Sequence, residues 1–389
     1  MAGALMQLVA YGAQDTYLTA DPSITFWKAV YKRHTNFAME SMSQTLSGTA
    51  NFGNRVVCRI SRNGDLLHRV YVNATLPAQT SDTDSNNWVN RVGFCLLNYV
   101  ELRVGGQVID RQYSRWMHIW TELTHDTDMK ALLDKLVGPK GVDGAATTSA
   151  AVLTLQIPLM FSFCRNPGLA LPLIALQYHE VELNIQFETL ANCLDSGSGN
   201  GSLSEVEVWA DYIFLDTEER KEFAQRSHEY LIEVTQNQEA TVSGTNNNSV
   251  RLTFNHPTKF VCWAIQTASV GDKFTCFTND AAVPVSNVTQ ATIKLNGQER
   301  MRTRNSAYFN YVQAYQHFGV KPDLGINVYS FAVRPAEHQP SGSCNMSRID
   351  NINLEITPAI ATSSTLYVYS FAYNVFRVAS GMGGLAYST

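Results

Sequence analysis

The chain has 389 residues, enough for two hydrophobic cores rather than one. Charged residues make up only 16%, and 29 Lys and Arg against 34 Asp and Glu leave a formal net charge of −5. That balance lacks the basic footprint of a nucleic-acid binder, so no direct nucleic-acid contact is expected.

Few charges beside 45% apolar residues suit a protein that hides surface against neighbours, although a compact monomer can have the same composition. The seven cysteines are odd in number, scattered and without a CxxC, which argues against a zinc site or a disulfide framework. Buried free thiols in a reducing compartment are the expectation. The opening MAGALMQLVAYGAQD has no Lys or Arg ahead of its short apolar run, so it does not read as a secretory signal. The longest apolar stretch, 157–176, is cut by Arg165 and prolines and is not a membrane span.

Residues 1–18 read as extended or loosely coiled. Asp21 and Pro22 predict the start of one or two helical turns running to Tyr31. From Asn36 the pattern is β, with strands over 39–46, 55–61, 66–76 and 95–104 and turns at Asn63-Gly64 and Gly105-Gly106. Residues 111–136 are the one strong helical stretch, with Trp116, Ile119, Trp120 and Leu123 at three-to-four spacing. An apolar strand over 157–164 meets the corner Arg165-Asn166-Pro167-Gly168. Residues 179–187 then alternate, with His179, Val181, Leu183, Ile185 and Phe187 on one face. A strand over 206–215 ends this series, and the charged run 216–228 marks a domain boundary.

The series then restarts. Strands are expected over 230–235, 250–254, 260–266, 292–296, 329–333 and 366–376. Leu102 to Gln107 (LRVGGQ) resembles Ile293 to Gln298 (IKLNGQ), and the alternation of Ile352, Leu354 and Ile356 repeats that of Val181, Leu183 and Ile185. Two copies of one set of short strands predict an all-β chain of two tandem sandwiches or jelly rolls.

Catalytic signals are weak. His179-Glu180 opens like HExxH, but position 183 is Leu and the stretch is strand-like. There is no HxH pair, GxSxG or Walker motif, and the glycines near Gly381 lack the strand–loop–helix setting of a phosphate cradle. No catalytic, cofactor or metal site is expected. N-x-[ST] triplets occur at Asn73, Asn200, Asn247, Asn287 and Asn345. Asn200 and Asn247, in polar loops, are the glycosylation candidates.

Long stretches carry a family likeness. LMQLVAYGAQDTYLTADPSITFWKAVYKRHTNFAMES, ISRNGDLLHRV, NPGLALPLIALQYHEVEL, DYIFLDTEER, FNHPTKF, KLNGQER, QPSGSCNMSRIDN and SGMGGLAY resemble the major capsid proteins of nucleocytoplasmic large DNA viruses, the algal chloroviruses above all. The resemblance implies two tandem eight-stranded jelly rolls, with short helices in loops and at the N-terminus. It places a base segment at 1–35 and the rolls at 36–216 and 217–389. It further implies a homotrimeric, pseudo-hexagonal capsomer in an icosahedral shell, assembled in the host cytoplasm. Neighbouring capsomers would be the partners, with minor capsid proteins and an internal membrane reached through the N-terminal segment. The loops 138–151, 192–203 and 271–288 are shorter than the insertions many relatives carry, which weakens any expectation of a capsomer tower. A carbohydrate-binding jelly roll of the virion surface is the second reading, and a metal-dependent β-sandwich enzyme is the third.

Overall fold

Leu66–Leu76 shows how the strands arise. Val70, Val72 and Ala74 are buried while Arg69, Tyr71 and Asn73 point outward, the period-2 pattern of a sheet with one covered face. The computed structural model describes residues 3–24, 26, 31–79, 87–140, 152–195, 199–266, 274–278, 285–360 and 363–387. The chain divides into two compact units, Met1–Asn36 and Phe37–Thr389.

In the first unit, α1 (Gly3–Val9) and a single turn, Thr16–Thr19, are helical where an extended chain was expected. The run Ala4, Leu5, Met6, Gln7, Leu8 consists of good helix formers, and this local propensity decides the outcome. Asp21 has a φ of 49°, which is not the extended conformation of an N-cap. The remainder of the helix expected up to Tyr31 falls largely on residues 25 and 27–30, outside the described residues.

Among the described residues, the second unit contains sixteen principal strands in two sets of eight. The first set is β1 (Phe37–Gln44), β2 (Arg55–Arg59), β3 (Leu66–Leu76), β4 (Leu97–Val104), β5 (Gln107–Tyr113), β6 (Leu153–Pro158), β7 (Val181–Phe187) and β8 (Ser204–Leu215). The second set is β9 (His228–Val242), β10 (Asn248–Leu252), β11 (Pro257–Gln266), β12 (Val288–Leu295), β13 (Gln298–Glu299), β14 (Asn327–Ser330), β15 (Ile352–Pro358) and β16 (Ser364–Ala379). A short β17 (Met382–Leu385) pairs with β16.

The sheet orders repeat. β1-β8-β3-β6 and β2-β7-β4-β5 form the first sandwich, and β9-β16-β11-β14 and β10-β15-β12-β13 form the second. Every pairing is antiparallel, and each strand of the second set occupies the place of the one eight before it. This is a double jelly roll, as expected. The hairpin between β4 and β5 turns through Gly105 and Gly106 at φ of 58° and 83°; that between β12 and β13 turns through Asn296 and Gly297 at 50° and 80°. Both turns need left-handed residues, which is why LRVGGQ and IKLNGQ look alike. Leu102 sits opposite Leu183 and Ile293 opposite Leu354, so the two copies share register. Val181, Leu183 and Ile185 enter the first core; Ile352, Leu354 and Ile356 enter the second.

Local boundaries differ where apolar runs mislead. The stretch 157–164 is not one strand: β6 ends at Pro158, and Ser162–Arg165 forms a helical turn. Its side chains are apolar because Phe161, Phe163 and Cys164 are buried in the core, not because they alternate across a sheet. The helical stretch at 111–136 begins as strand β5. It then splits into α2 (Ser114–Thr124) and α3 (Thr127–Val137) around an extended His125 and Asp126. Val92–Leu96 is helical before β4 starts, β7 starts at Val181 rather than His179, and β14 stops at Ser330. The boundary run 216–228 forms helix α4 (Thr217–Gln225), capped by the Asp216 carboxylate, which accepts from the Thr217 N–H at 2.7 Å.

One sheet is covered on both faces. Along β11, Val261, Trp263 and Ile265 enter the second core, while Phe260, Cys262 and Ala264 join a cluster continuous with the first. Burial on both faces explains why FVCWAI reads as an unbroken apolar run.

Candidate functional site: the seam between the two jelly rolls

The outer face of β9-β16-β11-β14 meets helix α2, whose side chains are buried nearly all round. The Trp116 ring lies 5.3 Å from Phe371, 5.7 Å from Tyr369 and 6.0 Å from Phe260, and Trp120 lies 4.9 Å from Phe371. These tilted and stacked aromatics form a packed joint. At the edge of the joint Arg115 donates to Gln266 Oε1 at 2.6 Å and covers the Tyr367 ring at 4.4 Å.

Charges are buried on each side of this joint. Lys259 on β11 is 0% exposed, and its Nζ lies 2.5 Å from Glu233 Oε1 on β9. It also donates to the Glu337 carbonyl at 2.6 Å. Arg165, from the corner of the first roll, reaches Glu233 Oε2 at 2.9 Å, with its guanidinium 4.7 Å from the Trp120 ring and 4.9 Å from Phe371. Burial lowers the Lys259 ammonium from its ordinary value and the Glu233 carboxylate opposes that shift. A groove of about 340 Å³ lined in part by Arg165, Glu233 and His338 borders the triad. Each Glu233 carboxylate oxygen faces a cation, Oε1 toward Lys259 and Oε2 toward Arg165.

The second cluster surrounds Glu122 on α2. Arg91 reaches Glu122 Oε1 and Asp134 Oδ1, each at 2.7 Å, and Lys130 reaches Glu122 Oε2 at 2.8 Å. Lys140 binds Asp323 of the second roll at 2.5 Å and lies 3.5 Å from Glu122. Lys130 also donates to the Lys321 carbonyl at 3.0 Å. Burial would raise the Glu122 carboxyl, but His118 if protonated, Lys140, Arg91 and Lys130 outweigh it and bring it down to about 2. Burial, then Arg91, drives His118 itself well below its ordinary value. Arg91 donates to His118 Nδ1 at 3.1 Å, which leaves the ring proton on Nε2.

The chain end closes the seam. Tyr178 N–H donates to the Gly381 carbonyl at 2.9 Å, and His179 Nδ1 lies 2.9 Å from the Gly383 carbonyl. A Cβ on Gly381 would fall 2.6 Å from the Tyr178 ring, and one on Gly383 2.6 Å from Leu176. The glycine cluster is therefore there for close approach. His179, which opens an HExxH-like string, packs over Gly105 and anchors this tail.

Asn200 and Asn247, the two glycosylation candidates, are both exposed, one between β7 and β8 and one between β9 and β10. The Asn200 carbonyl accepts from Gln79 Nε2 at 3.1 Å, and Asn247 Nδ2 lies 3.4 Å from Glu355 Oε2. Of the other triplets, Asn287 is buried and Asn73 half-buried within β3, while exposed Asn345 caps a 3₁₀ turn. Among the described residues, no group of three or more His, Cys, Asp or Glu is placed to hold a metal ion, and no helix is long and apolar enough to cross a membrane. Sequence reasoning did not find the seam. Its charges lie up to about two hundred positions apart and look like ordinary surface residues until the fold joins them.

Two families match in tandem: "Major capsid protein N-terminus" over residues 25–216 and "Large eukaryotic DNA virus major capsid protein" over 219–384. The major capsid protein of Pyramimonas orientalis virus is 46% identical with all of both chains covered, and that of Paramecium bursaria Chlorella virus 1 is 41% identical with the same coverage. A quasi-atomic structure of the PBCV-1 virus capsid matches at 36% identity and a TM-score of 0.83, covering 94% of this chain and 100% of that one. The Faustovirus major capsid protein, at 14% identity and a TM-score of 0.74, shares the fold. A double jelly roll with a sealed seam, matched over its whole length, is a member of the large eukaryotic DNA virus major capsid protein family.

Proposed function

We propose that this chain is the building block of a homotrimeric, pseudo-hexagonal capsomer in the icosahedral shell of a large double-stranded DNA virus, and that it has no catalytic role. The seam carries this reading. Aromatic packing and two sets of buried ion pairs fix two copies of one fold into a single rigid body. Three such bodies around a three-fold axis supply six similar wedges, a tile that covers a flat facet. The functional divisions are a base segment at 1–35 and jelly rolls at 36–216 and 217–389. Neighbouring capsomers are the lateral partners. The base segment exposes Leu8, Tyr17, Leu18, Ile24 and Phe26, apolar surface that suits minor capsid proteins or an internal membrane. Assembly takes place in the host cytoplasm, and Asn200 and Asn247 are the positions open to a glycan. Mass measurement in native buffer tests the proposal. A species three times the 43.2 kDa chain is expected, and a clean monomer across the micromolar range contradicts it.

A further inference from the structure

We propose that one end of the second jelly roll holds a small phosphate-bearing ligand, in a groove beside His256 and Arg348. The first roll closes the same place with groups of its own.

The two ends correspond residue by residue. Leu66 of β3 pairs with Pro172, and Pro257 of β11 pairs with Asn345. Asp65 and His256, one position earlier, therefore hold one place in the two copies. Tyr71 pairs with Trp209 as Cys262 pairs with Tyr369, so Tyr373 and Val375 take the places of Ile213 and Leu215. In the first roll this end is sealed. Asp65 is 5% exposed; its carboxylate accepts from the Leu215 N–H at 2.9 Å and lies 3.0 Å from Arg220 Nε. Phe223 of α4 packs with Leu66, Ile213 and Leu215 beside it. The second roll lacks both devices. Histidine replaces the carboxylate, and among the described residues no helix follows β16. A groove of about 790 Å³ remains, with His256, Tyr373 and Val375 in its lining.

The polar groups of the groove decide the sign of its ligand. Among the described residues, its lining holds Arg348 and His256 but no Asp or Glu. Arg348 is exposed and, among the described residues, has no ion-pair partner. His256 is 5% exposed, and its Nε2 is buried with no hydrogen-bond partner. The side-chain acceptors are already used. Asn345 Oδ1 accepts from the Ser347 N–H at 3.1 Å, Asn374 Oδ1 from the Val375 N–H at 2.7 Å, and Ser347 Oγ from the His256 N–H at 2.8 Å. Donors are left over: the Arg348 guanidinium, the Asn345 amide N–H groups and the Ser347 hydroxyl proton. A neutral sugar brings donors of its own and would leave them unpaired, whereas an oxyanion only accepts. The arginine fork pairs with two oxygens at once, and a phosphate keeps further oxygen for the other donors. Leu231, Pro257 and Val375 add an apolar wall that suits the carbon chain of a phosphate ester. Free phosphate and a phospholipid headgroup share this chemistry.

Isothermal titration calorimetry of the full chain separates the two sources, with inorganic phosphate in one arm and dihexanoyl phosphatidic acid in the other. Saturable binding is expected in at least one arm. Tighter binding of the phosphatidic acid assigns a headgroup; equal or tighter binding of inorganic phosphate assigns the free ion. His256→Asp copies the carboxylate of the first roll and should abolish binding. His256 has a φ of 69°, and aspartate, like histidine, tolerates that left-handed conformation. Arg348→Gln should weaken binding about ten-fold or more. Arg59→Gln, which removes an exposed arginine of the first roll, should leave it unchanged. Circular dichroism confirms that each variant is folded. Absence of binding in both arms overturns the site. Binding that survives in folded His256→Asp does so too, as does binding weakened equally by Arg59→Gln and Arg348→Gln. None of these outcomes depends on the number of subunits, so the capsomer reading stands or falls separately.

Discussion

Replacing Glu233 by Ala should destabilise the chain more than any single surface change. The substitution leaves Lys259, 0% exposed, with no carboxylate at 2.5 Å, and Arg165, 19% exposed on its side chain, without its partner at 2.9 Å. Removing one member of a buried ion pair costs about 3–5 kcal/mol, because the remaining charge stays desolvated and unpaired. Arg165 can turn toward solvent and Lys259 cannot, so most of the cost falls on Lys259. Replacing both partners with apolar residues, Lys259→Met with Glu233→Leu, should cost less than either single change. Urea unfolding read by tryptophan fluorescence is the assay, since Trp116 and Trp120 lie in the same seam. A loss below about 1 kcal/mol for Glu233→Ala, or single effects that simply add in the double variant, would refute a coupled buried triad.

Acid should loosen the same seam at Glu122. Its folded-state value, about 2, lies below the ordinary 4.5, so its stabilisation is fully present above about 4.5 and is lost as pH falls toward 2. The side chain is nearly inaccessible, and the loss is on the order of 3 kcal/mol; in urea titrations from pH 6 to pH 2.5, Glu122→Gln should flatten that part of the profile. Thiol counting should find seven free cysteines in the unfolded chain. In the native chain Cys276 and Cys344 should react first, because the other five are buried and burial pushes Cys58 and Cys164 up to about 12. Two or more intramolecular disulfides would overturn that expectation. Deleting residues 1–25 should leave trimers that melt within a few degrees of the intact protein but that fail to assemble shells. A truncated chain that no longer trimerises would make the segment part of the fold instead.

The repeat was legible because it rests on local chemistry. A left-handed two-residue turn constrains residues next to one another, so LRVGGQ and IKLNGQ show it directly. Strand Leu66–Leu76 was legible to the residue, with the Asn63-Gly64 turn just ahead of it and Pro77 just after. Continuous apolar runs were not. Burial on both sides gives β11 and the stretch 157–164 the same appearance, yet the first is a strand and the second breaks into a helical turn at Ser162–Arg165. Aromatic spacing announced α2, but the extended pair His125 and Asp126 that divides it from α3 left no signal that periodicity could detect. Lys259, Glu233, Arg165, Glu122 and Asp323 were invisible for a different reason. A charge becomes a buried ion pair only when distant segments meet, and nothing in the neighbouring residues marks it.

Electron microscopy of the purified full chain tests the central claim most directly. Class averages viewed down the symmetry axis should show a hexagonal outline with six lobes and three-fold symmetry, two lobes from each chain. Isolated two-lobed particles at micromolar concentration, or rings with another number of lobes, would contradict a capsomer built from two fused copies of one fold.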